Sequence, residues 1–357
     1  MALLQMNRAK LRKNYEVLES KFDKAGISWG VVSKLLCGDK LFLKEVLSLK
    51  PKQVCDSRVK NLRAIKQLDP EIETVYIKPP AKKSIRNIVQ FADISFNTEL
   101  RTIRMLSEEA QLQCKTHKVV IMIELGDLRE GILGEDLIEF YQEVFRLKGI
   151  RVIGIGANLN CLNGVMPSQD KLIQLALYKN LIDAKFGQQL QLVSGGSTVT
   201  LPLLSKHKFP KSINHFRIGE ALYFGINLFT GKTFKGMHGD VFQLRAEIIE
   251  LTEKPFAPVG VLGANPSGET PEIEPGDFQK TGLRCIIDVG LLDIDPKFMT
   301  PCDKGVEILG ASSDMIVIEL TDDAKPYRVG ETINFNLSYM GVLGLMASKY
   351  IEKEVIE

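Results

Sequence analysis

What most constrains this chain is an alternation that runs through its first two-thirds. Eight short apolar runs of β type lie at 28–34, 53–58, 73–78, 93–98, 119–126, 151–160, 189–196 and 215–223. Stretches with helical periodicity separate them. Residues 7–22 put Leu11, Tyr15, Leu18 and Phe22 on one stripe, and 134–147 do the same with Leu137, Phe140, Tyr141, Val144 and Leu147. Residues 168–186 read as a further helix. Strand–helix alternation implies βαβ units and a parallel sheet. Eight such units close into a (β/α)8 TIM-type barrel, which we assign to residues 1–230. A doubly wound open sheet is the rival, but it would set a G-x-G-x-x-G turn early in the chain, and none is there.

Beyond about residue 230 the pattern changes. Runs at 241–251, 282–289, 305–310, 315–320 and 331–337 read as strands with little helix between them, around a polar Gly/Pro loop at 263–282. Residues 231–357 therefore read as a C-terminal β-rich domain, closed by a short helix at 338–350. The total of 357 residues suits two such domains.

Composition narrows the function. Lys and Arg number 46 against 44 Asp and Glu, so neither a nucleic-acid surface nor an acidic tail is indicated. The longest apolar stretch, Val119 to Leu125, falls well short of the ~20 residues of a membrane span. The opening segment turns basic after four apolar residues and lacks a secretory core. The cysteines, at 37, 55, 114, 161, 285 and 302, form no CxxC pair, which argues against a zinc knot or disulfide scaffold. A reduced, cytoplasmic enzyme without a metal is the expectation.

In a barrel, chemistry sits at the C-terminal ends of the strands and in the loops that follow. The first run ends in Val31-Val32-Ser33-Lys34. A lysine finishing a buried strand is costly unless it is solvated, paired or covalently used. The seventh ends in Ser194-Gly195-Gly196-Ser197-Thr198, where glycines admit a ligand to the backbone and hydroxyls can donate to phosphate. The eighth carries Arg217-Ile218-Gly219-Glu220. Loops after strands 7 and 8 are the recurrent phosphate site of this architecture. A strand-1 lysine joined to such a cup suggests a phosphorylated aldehyde, pyridoxal 5'-phosphate.

At these residues the chain resembles the alanine racemase family, the barrel-type (fold type III) pyridoxal-phosphate enzymes, and within it the ornithine-racemase-like branch. Asn7 to Asn14 resembles that family's first helix, and Val31-Val32-Ser33-Lys34 its lysine-bearing strand. Glu124 to Gly131 keeps the Gly and Arg spacing of D-T-G-M-x-R-x-G, and Arg217 to Tyr223 is similar to R-P-G-x-A-L-Y. Gly310 to Leu320 resembles a later strand, and Ser338-Tyr339 its C-terminal tyrosine. The resemblance implies a racemase whose Lys34 forms the Schiff base and moves the α-proton. It implies Arg217 at the pyridine nitrogen, Arg129 near the substrate carboxylate and Asn158 where the family has a histidine. Ser194, Gly196, Ser197, Thr198, Gly219 and Tyr339 would hold the cofactor. It also implies a homodimer in which one chain's β-domain brings Asp293, Cys302, Asp303 and Ser313 toward the partner's barrel, with Ser313 and Asp303 meeting substrate. The substrate so implied is a small amino acid, with ornithine or another basic one favoured by the acidic content of 293–314, and alanine otherwise.

Two departures stand out. The family's usual second base is a tyrosine in a G-Y-A-D stretch, and here that stretch reads Gly290-Leu291-Leu292-Asp293. Among Cys302, Asp293, Asp303 and Asp314, the thiol lies nearest to working pH, at an ordinary pKa of about 8.5. The phosphate-binding tyrosine that often follows the lysine is also absent. Strand alternation directs Glu220 away from the Arg217 face. A decarboxylase of the same fold remains an alternative through Pro301-Cys302-Asp303, as does a non-catalytic cofactor-homeostasis protein, though the large β-domain argues against the latter. Zinc-dependent relatives would need clustered ligands, and none of the histidines 117, 207, 215 and 238 lies beside Cys285 or Cys302.

Overall fold

The structure is a computed structural model that describes residues 2–204, 209–264, 270 and 274–357. His207 and part of the polar 263–282 loop lie outside the described residues. The chain forms two compact units, Ala9–Gly239 and Met1–Arg8 with Asp240–Glu357. The boundary differs from the expected one because β1 (Leu3–Asn7) belongs to the β-rich unit. It pairs antiparallel with the long strand Phe242–Pro255 and parallel with Glu352–Ile356. Leu4 and Met6 are its buried face, at 0% exposure.

The larger unit is a closed barrel of eight parallel strands. These are β2 (Ser28–Val32), β3 (Gln53–Asp56), β4 (Glu73–Tyr76), β5 (Ile94–Asn97), β6 (His117–Met122), β7 (Ile150–Gly156), β8 (Leu192–Gly196) and β9 (His215–Ile218). All eight expected strands are present, and helices connect them. Val32, Cys55, Val75, Ile94, Phe96, Val120, Met122 and Ile153 pack together as one buried cluster. Parallel pairing forces all eight C-terminal ends to one mouth, which fixes where a site can be.

Three strands end four or five residues earlier than their apolar runs suggested: β6 at Met122, β7 at Gly156 and β9 at Ile218. The residues beyond are apolar because the loops themselves are buried. Leu125, Ala157 and Leu159 are 3%, 4% and 6% exposed, and Ala221, Leu222 and Tyr223 are at 0%. The run after Ile218 is a short helix, Glu220–Phe224, not strand, so alternation does not govern Glu220. Asn14, in the first helix, locks that segment in place. Its amide donates to the carbonyls of Leu222 (3.0 Å) and His238 (2.9 Å) and accepts the His238 N–H (2.7 Å).

In the second unit, Phe242–Pro255 pairs with Thr281–Ile287 on one side and Thr332–Leu337 on the other. Strands Met299–Pro301, Val306–Ala311 and Ile316–Leu320 complete an antiparallel framework, and the helix Tyr339–Ala347 follows. The two short or charged strands, Met299–Pro301 and Glu352–Ile356, escaped the sequence reading. Among the described residues, no helix is long and apolar enough to cross a membrane.

Candidate active site

The mouth is built strand by strand. At the end of β2, Ser33 is fully buried and its hydroxyl donates to Asp56 Oδ2 at 2.7 Å. Asp56 also accepts the Arg58 N–H (2.9 Å) and the Asn61 amide (3.1 Å). Burial pushes the Asp56 pKa up, and these hydrogen bonds only partly offset it. The anchor clamps the strand end so that the next residue turns out. Lys34 opens a single 3-10 turn whose Leu35 and Leu36 are buried, while Lys34 itself is exposed. Glu220 is close enough to interact with its charge; burial raises the Glu220 pKa and Lys34 works against that rise.

Arg217, on β9, is the deepest cation of the mouth, 5% exposed, with its guanidinium 5.0 Å from the centre of the Phe96 ring. It donates to Ser194 Oγ, to the Ala157 carbonyl (3.0 Å) and to Asn158 Oδ1. Burial lowers its pKa, yet a guanidinium stays charged at neutral pH. The donor inventory orients everything behind it. Gln53 Oε1 can only accept, so the buried, neutral His215 ring carries its hydrogen on Nε2, and its Nδ1 accepts the Ser194 hydroxyl at 2.8 Å while Ser194 Oγ accepts from Arg217. His215 is then the Nε2–H tautomer and donates to Gln53 Oε1 at 2.9 Å.

The loop after β6 carries the segment with racemase-type spacing. Glu124 accepts the N–H groups of Gly126 (2.5 Å) and Leu128 (3.0 Å), winding it tightly. Gly131 closes the turn at φ +144°, where a Cβ would sit 2.2 Å from the Glu124 nitrogen. Asp127 reaches across to the loop after β7 and accepts the N–H groups of Cys161 (3.0 Å), Leu162 (2.9 Å) and Val165 (3.1 Å). Burial alone would raise its pKa, but these backbone donors outweigh it and hold the carboxyl below its ordinary value. Arg129 forks onto the Glu130 carboxylate through Nε and Nη2, and Asn158 donates its amide to the same carboxylate.

At the ends of β8 and β9 the donor set suits a phosphate. Ser197 caps a short turn starting at Thr198, and the Thr198 hydroxyl accepts the Ala221 N–H at 3.0 Å, tying the two loops together. The first turns at Thr198 and at Glu220 present N–H groups that have no acceptor within their own helices. Gly219 lies against β2, where an added Cβ would come within 3.1 Å of the Val32 Cβ. Two hydroxyls, helix-start amides, an exposed lysine and a buried arginine are together the chemistry of a phosphorylated aldehyde cofactor.

The barrel thus brings together Lys34, Arg129, Asn158, Ser194, Gly196, Ser197, Thr198, Arg217 and Gly219 at one mouth. The other expected residues lie in the second unit. There Asp293 accepts the Ser348 hydroxyl at 2.5 Å. Asp303 accepts Tyr327 (2.6 Å) and Lys325 (2.9 Å), which hold its pKa below the ordinary value. Cys302 and Ser313 are exposed and Tyr339 is half-buried. Two residues of the mouth escaped the sequence reading: Glu130 and Asp127. Both stand within the quoted Glu124–Gly131 segment, but apart from the adjacent Arg129 their side-chain partners are 28 to 38 residues away, beyond reach of any local spacing rule.

Comparison with known proteins agrees with this geometry. The family profile described as "Alanine racemase, N-terminal domain" matches residues 6–227. An ornithine racemase of Acetoanaerobium sticklandii is 36% identical over 348 residues, covering 97% of each chain. A lysine racemase of Thermotoga maritima is 30% identical over 352 residues, covering 98% of this chain and 97% of that one. Among solved structures, the alanine racemase from Bartonella henselae with covalently bound pyridoxal phosphate has the same fold, with a TM-score of 0.75, 16% identity and 99% coverage of both chains. The chain belongs to the alanine racemase family and is a pyridoxal-phosphate-dependent amino-acid racemase.

Proposed function

We propose that this protein interconverts the L and D forms of a free basic amino acid of the ornithine–lysine class, with Lys34 as the cofactor-bearing residue. The observation that carries the reading is similarity along nearly the whole chain to an ornithine racemase and a lysine racemase. When bound, the cofactor supplies the electron sink that makes the α-proton acidic. Lys34 holds the cofactor and takes or returns that proton on one face. Arg217 meets the ring nitrogen and gives it a hydrogen bond but no proton. Ser197, Thr198, Gly219 and the helix-start amides hold the phosphate, joined by Tyr339. Arg129 receives the substrate carboxylate, and Asn158 and Ser194 fix Arg217.

The second face needs another group. Asp303 is a poor base, since Tyr327 and Lys325 keep it ionised well into acid. Asp293 already receives a hydroxyl from Ser348. Cys302 is therefore the residue of choice, supplied by the second unit of a partner chain, with Ser313 and Asp303 contacting substrate. Exposed Leu128 and Leu162 on the barrel loops, at 70% and 65%, and Leu292 and Met340 on the second unit, at 67% and 50%, support faces covered in a homodimer. Sedimentation at assay concentration should give a dimer; a fully active monomer would refute that part. The reading includes a cytoplasmic setting, supported by six cysteines of which none forms a disulfide among the described residues.

Screening the twenty L-amino acids together with ornithine for α-deuterium exchange in D₂O tests the substrate class. Exchange should be fastest with ornithine or lysine. Exchange confined to alanine would refute the basic-substrate reading, and release of carbon dioxide without exchange would make the enzyme a decarboxylase.

A further inference from the structure

Arg129 and Arg217 are two cations in one mouth, and a single carboxylate links them. Glu130 accepts both Nε and Nη2 of Arg129 and the Nδ2 of Asn158, whose Oδ1 in turn accepts from Arg217. The Glu130 side chain is only 12% exposed, against 41% for Arg129, so water cannot replace these bonds at low cost. Every link is directional. Arginines only donate and an ionised carboxylate only accepts, so the Asn158 amide is fixed with its oxygen toward Arg217 and its nitrogen toward Glu130. The same polarity continues through Ser194 to His215 and Gln53. Glu130 is thus the acceptor at which the Arg217–Asn158 arm of the network terminates.

We propose that Glu130 is a positioning residue: it sets the fork of Arg129 toward substrate and, through Asn158, fixes the aim of Arg217 toward the cofactor ring. Neutralising it removes a bidentate charge-assisted pair and leaves the two guanidinium groups of the network without the anion that links them. It also leaves Arg217 alone to orient the Asn158 amide, since a glutamine at 130 can offer either a donor or an acceptor. The proposal rests on the roles given above to Arg129 and Arg217, and the experiment separates the two.

The test uses the pyridoxal-phosphate-loaded protein and the variants Glu130→Gln, Asn158→Ala and their combination. Two readouts are followed: the absorption maximum without substrate, and KM and kcat for ornithine and lysine by optical rotation. Glu130→Gln should raise KM about tenfold, the loss of one charge-assisted contact, while kcat changes about threefold or less. Its absorption maximum should move from the wild-type position. Asn158→Ala should move the maximum the same way, and the double variant should move it no further, because both act on one path. A folded Glu130→Gln protein with wild-type KM and maximum would overturn the proposal, as would shifts that simply add. If Glu130→Gln does not fold, Asn158→Ala decides, and an unmoved maximum overturns the relay. A wild-type protein that exchanges neither amino acid would sink the functional reading alone, since the absorption comparison still stands.

Discussion

Two buried histidines should make the barrel acid-labile in a way that can be measured apart from the second unit. His117 and His215 are 3% and 2% exposed. Burial, joined at His215 by the charge of Arg217, pushes the His215 pKa down to about 3, and burial pushes that of His117 down to about 4. Both accept a hydroxyl hydrogen at one ring nitrogen. Ser95 receives the Asn97 amide at 2.9 Å, which leaves its hydroxyl hydrogen for His117 Nε2 at 2.8 Å, and Ser194 pairs with His215 Nδ1 at 2.8 Å. Protonation would put a charge inside the barrel and force each hydroxyl to turn from donor to acceptor. The folded pKa values lie below the unfolded value of about 6.5, so the stability is fully present above pH 6.5 and is lost as pH falls toward the folded values. Integrating the linkage from pH 8 to pH 5 gives about 2 kcal/mol per histidine, about 4 kcal/mol together. Asp56 acts with the opposite sign, since its pKa is raised by burial and acid relieves that cost. Trp29 is the only tryptophan, lies on β2 and donates to Glu19 at 2.7 Å, so its fluorescence reports the barrel. Urea midpoints followed at this residue from pH 8 to pH 5, at fixed cofactor concentration, should fall steeply. His117→Asn and His215→Asn should each remove about half of the fall. Variants that fall as steeply as wild type, or imidazole protons that titrate near pH 6.5 in the folded protein, would refute the reasoning.

Three further outcomes are expected. Borohydride treatment of the loaded enzyme should abolish its visible absorbance and label one peptide, the one containing Lys34; a label on another lysine would exclude the assignment. Cys302→Ser should slow α-proton exchange from one enantiomer far more than from the other, whereas Asp303→Asn should leave that ratio near wild type. Equal exchange of both enantiomers at wild-type rates in Cys302→Ser would remove it as the second base. Asp127→Ala should speed amide exchange at Cys161, Leu162 and Val165 by about 30- to 100-fold, corresponding to ~2–3 kcal/mol for hydrogen bonds to a charged acceptor. The depressed pKa of Asp127 means this protection should persist down to its folded pKa and vanish below it, and unchanged exchange would show that other contacts hold the loop.

The barrel was legible because each strand is a short apolar run punctuated by a helix, and parallel strands buried on both faces are apolar without interruption. Its ends were less so. Leu125, Leu159 and Ala221–Tyr223 continue the apolar runs past the ladder because burial, not backbone pairing, selects for hydrophobicity. The first strand, Leu3–Asn7, was missed for a different reason: its partners, Phe242–Pro255 and Glu352–Ile356, lie at the far end of the sequence. Lys34, Arg217 and the Ser197–Thr198 turn could be read because each stands alone at a strand end. Glu130 could not, because side chains adjacent in sequence point apart in regular structure, and only the tight turn from Glu124 to Gly131 brings it under Arg129.

The polarity of the interior also bears on which reaction the mouth favours. Starting from Arg217, the hydrogens run outward in two directions: through Ser194 and His215 to Gln53, and through Asn158 to Glu130. The Gln53 amide passes its own hydrogen to Glu73 at 2.9 Å. Each branch therefore ends on a carboxylate, and no member can release a proton back toward Arg217 without reversing every bond behind it. His215, the one ordinary proton carrier in the chain, is neutral and already committed at both nitrogens. With the cofactor bound, a ring nitrogen placed against Arg217 would receive a hydrogen bond but no proton, and the cofactor would then be a weaker electron sink. A weaker sink would favour return of the α-proton over a slower bond cleavage, and that bias is what a racemase requires. The test is within reach: Arg217→Glu would place a carboxylic acid where the guanidinium lies, and exchange should then give way to side reactions that consume the substrate. Clean racemisation by that variant would show that the polarity of the chain does not govern the outcome.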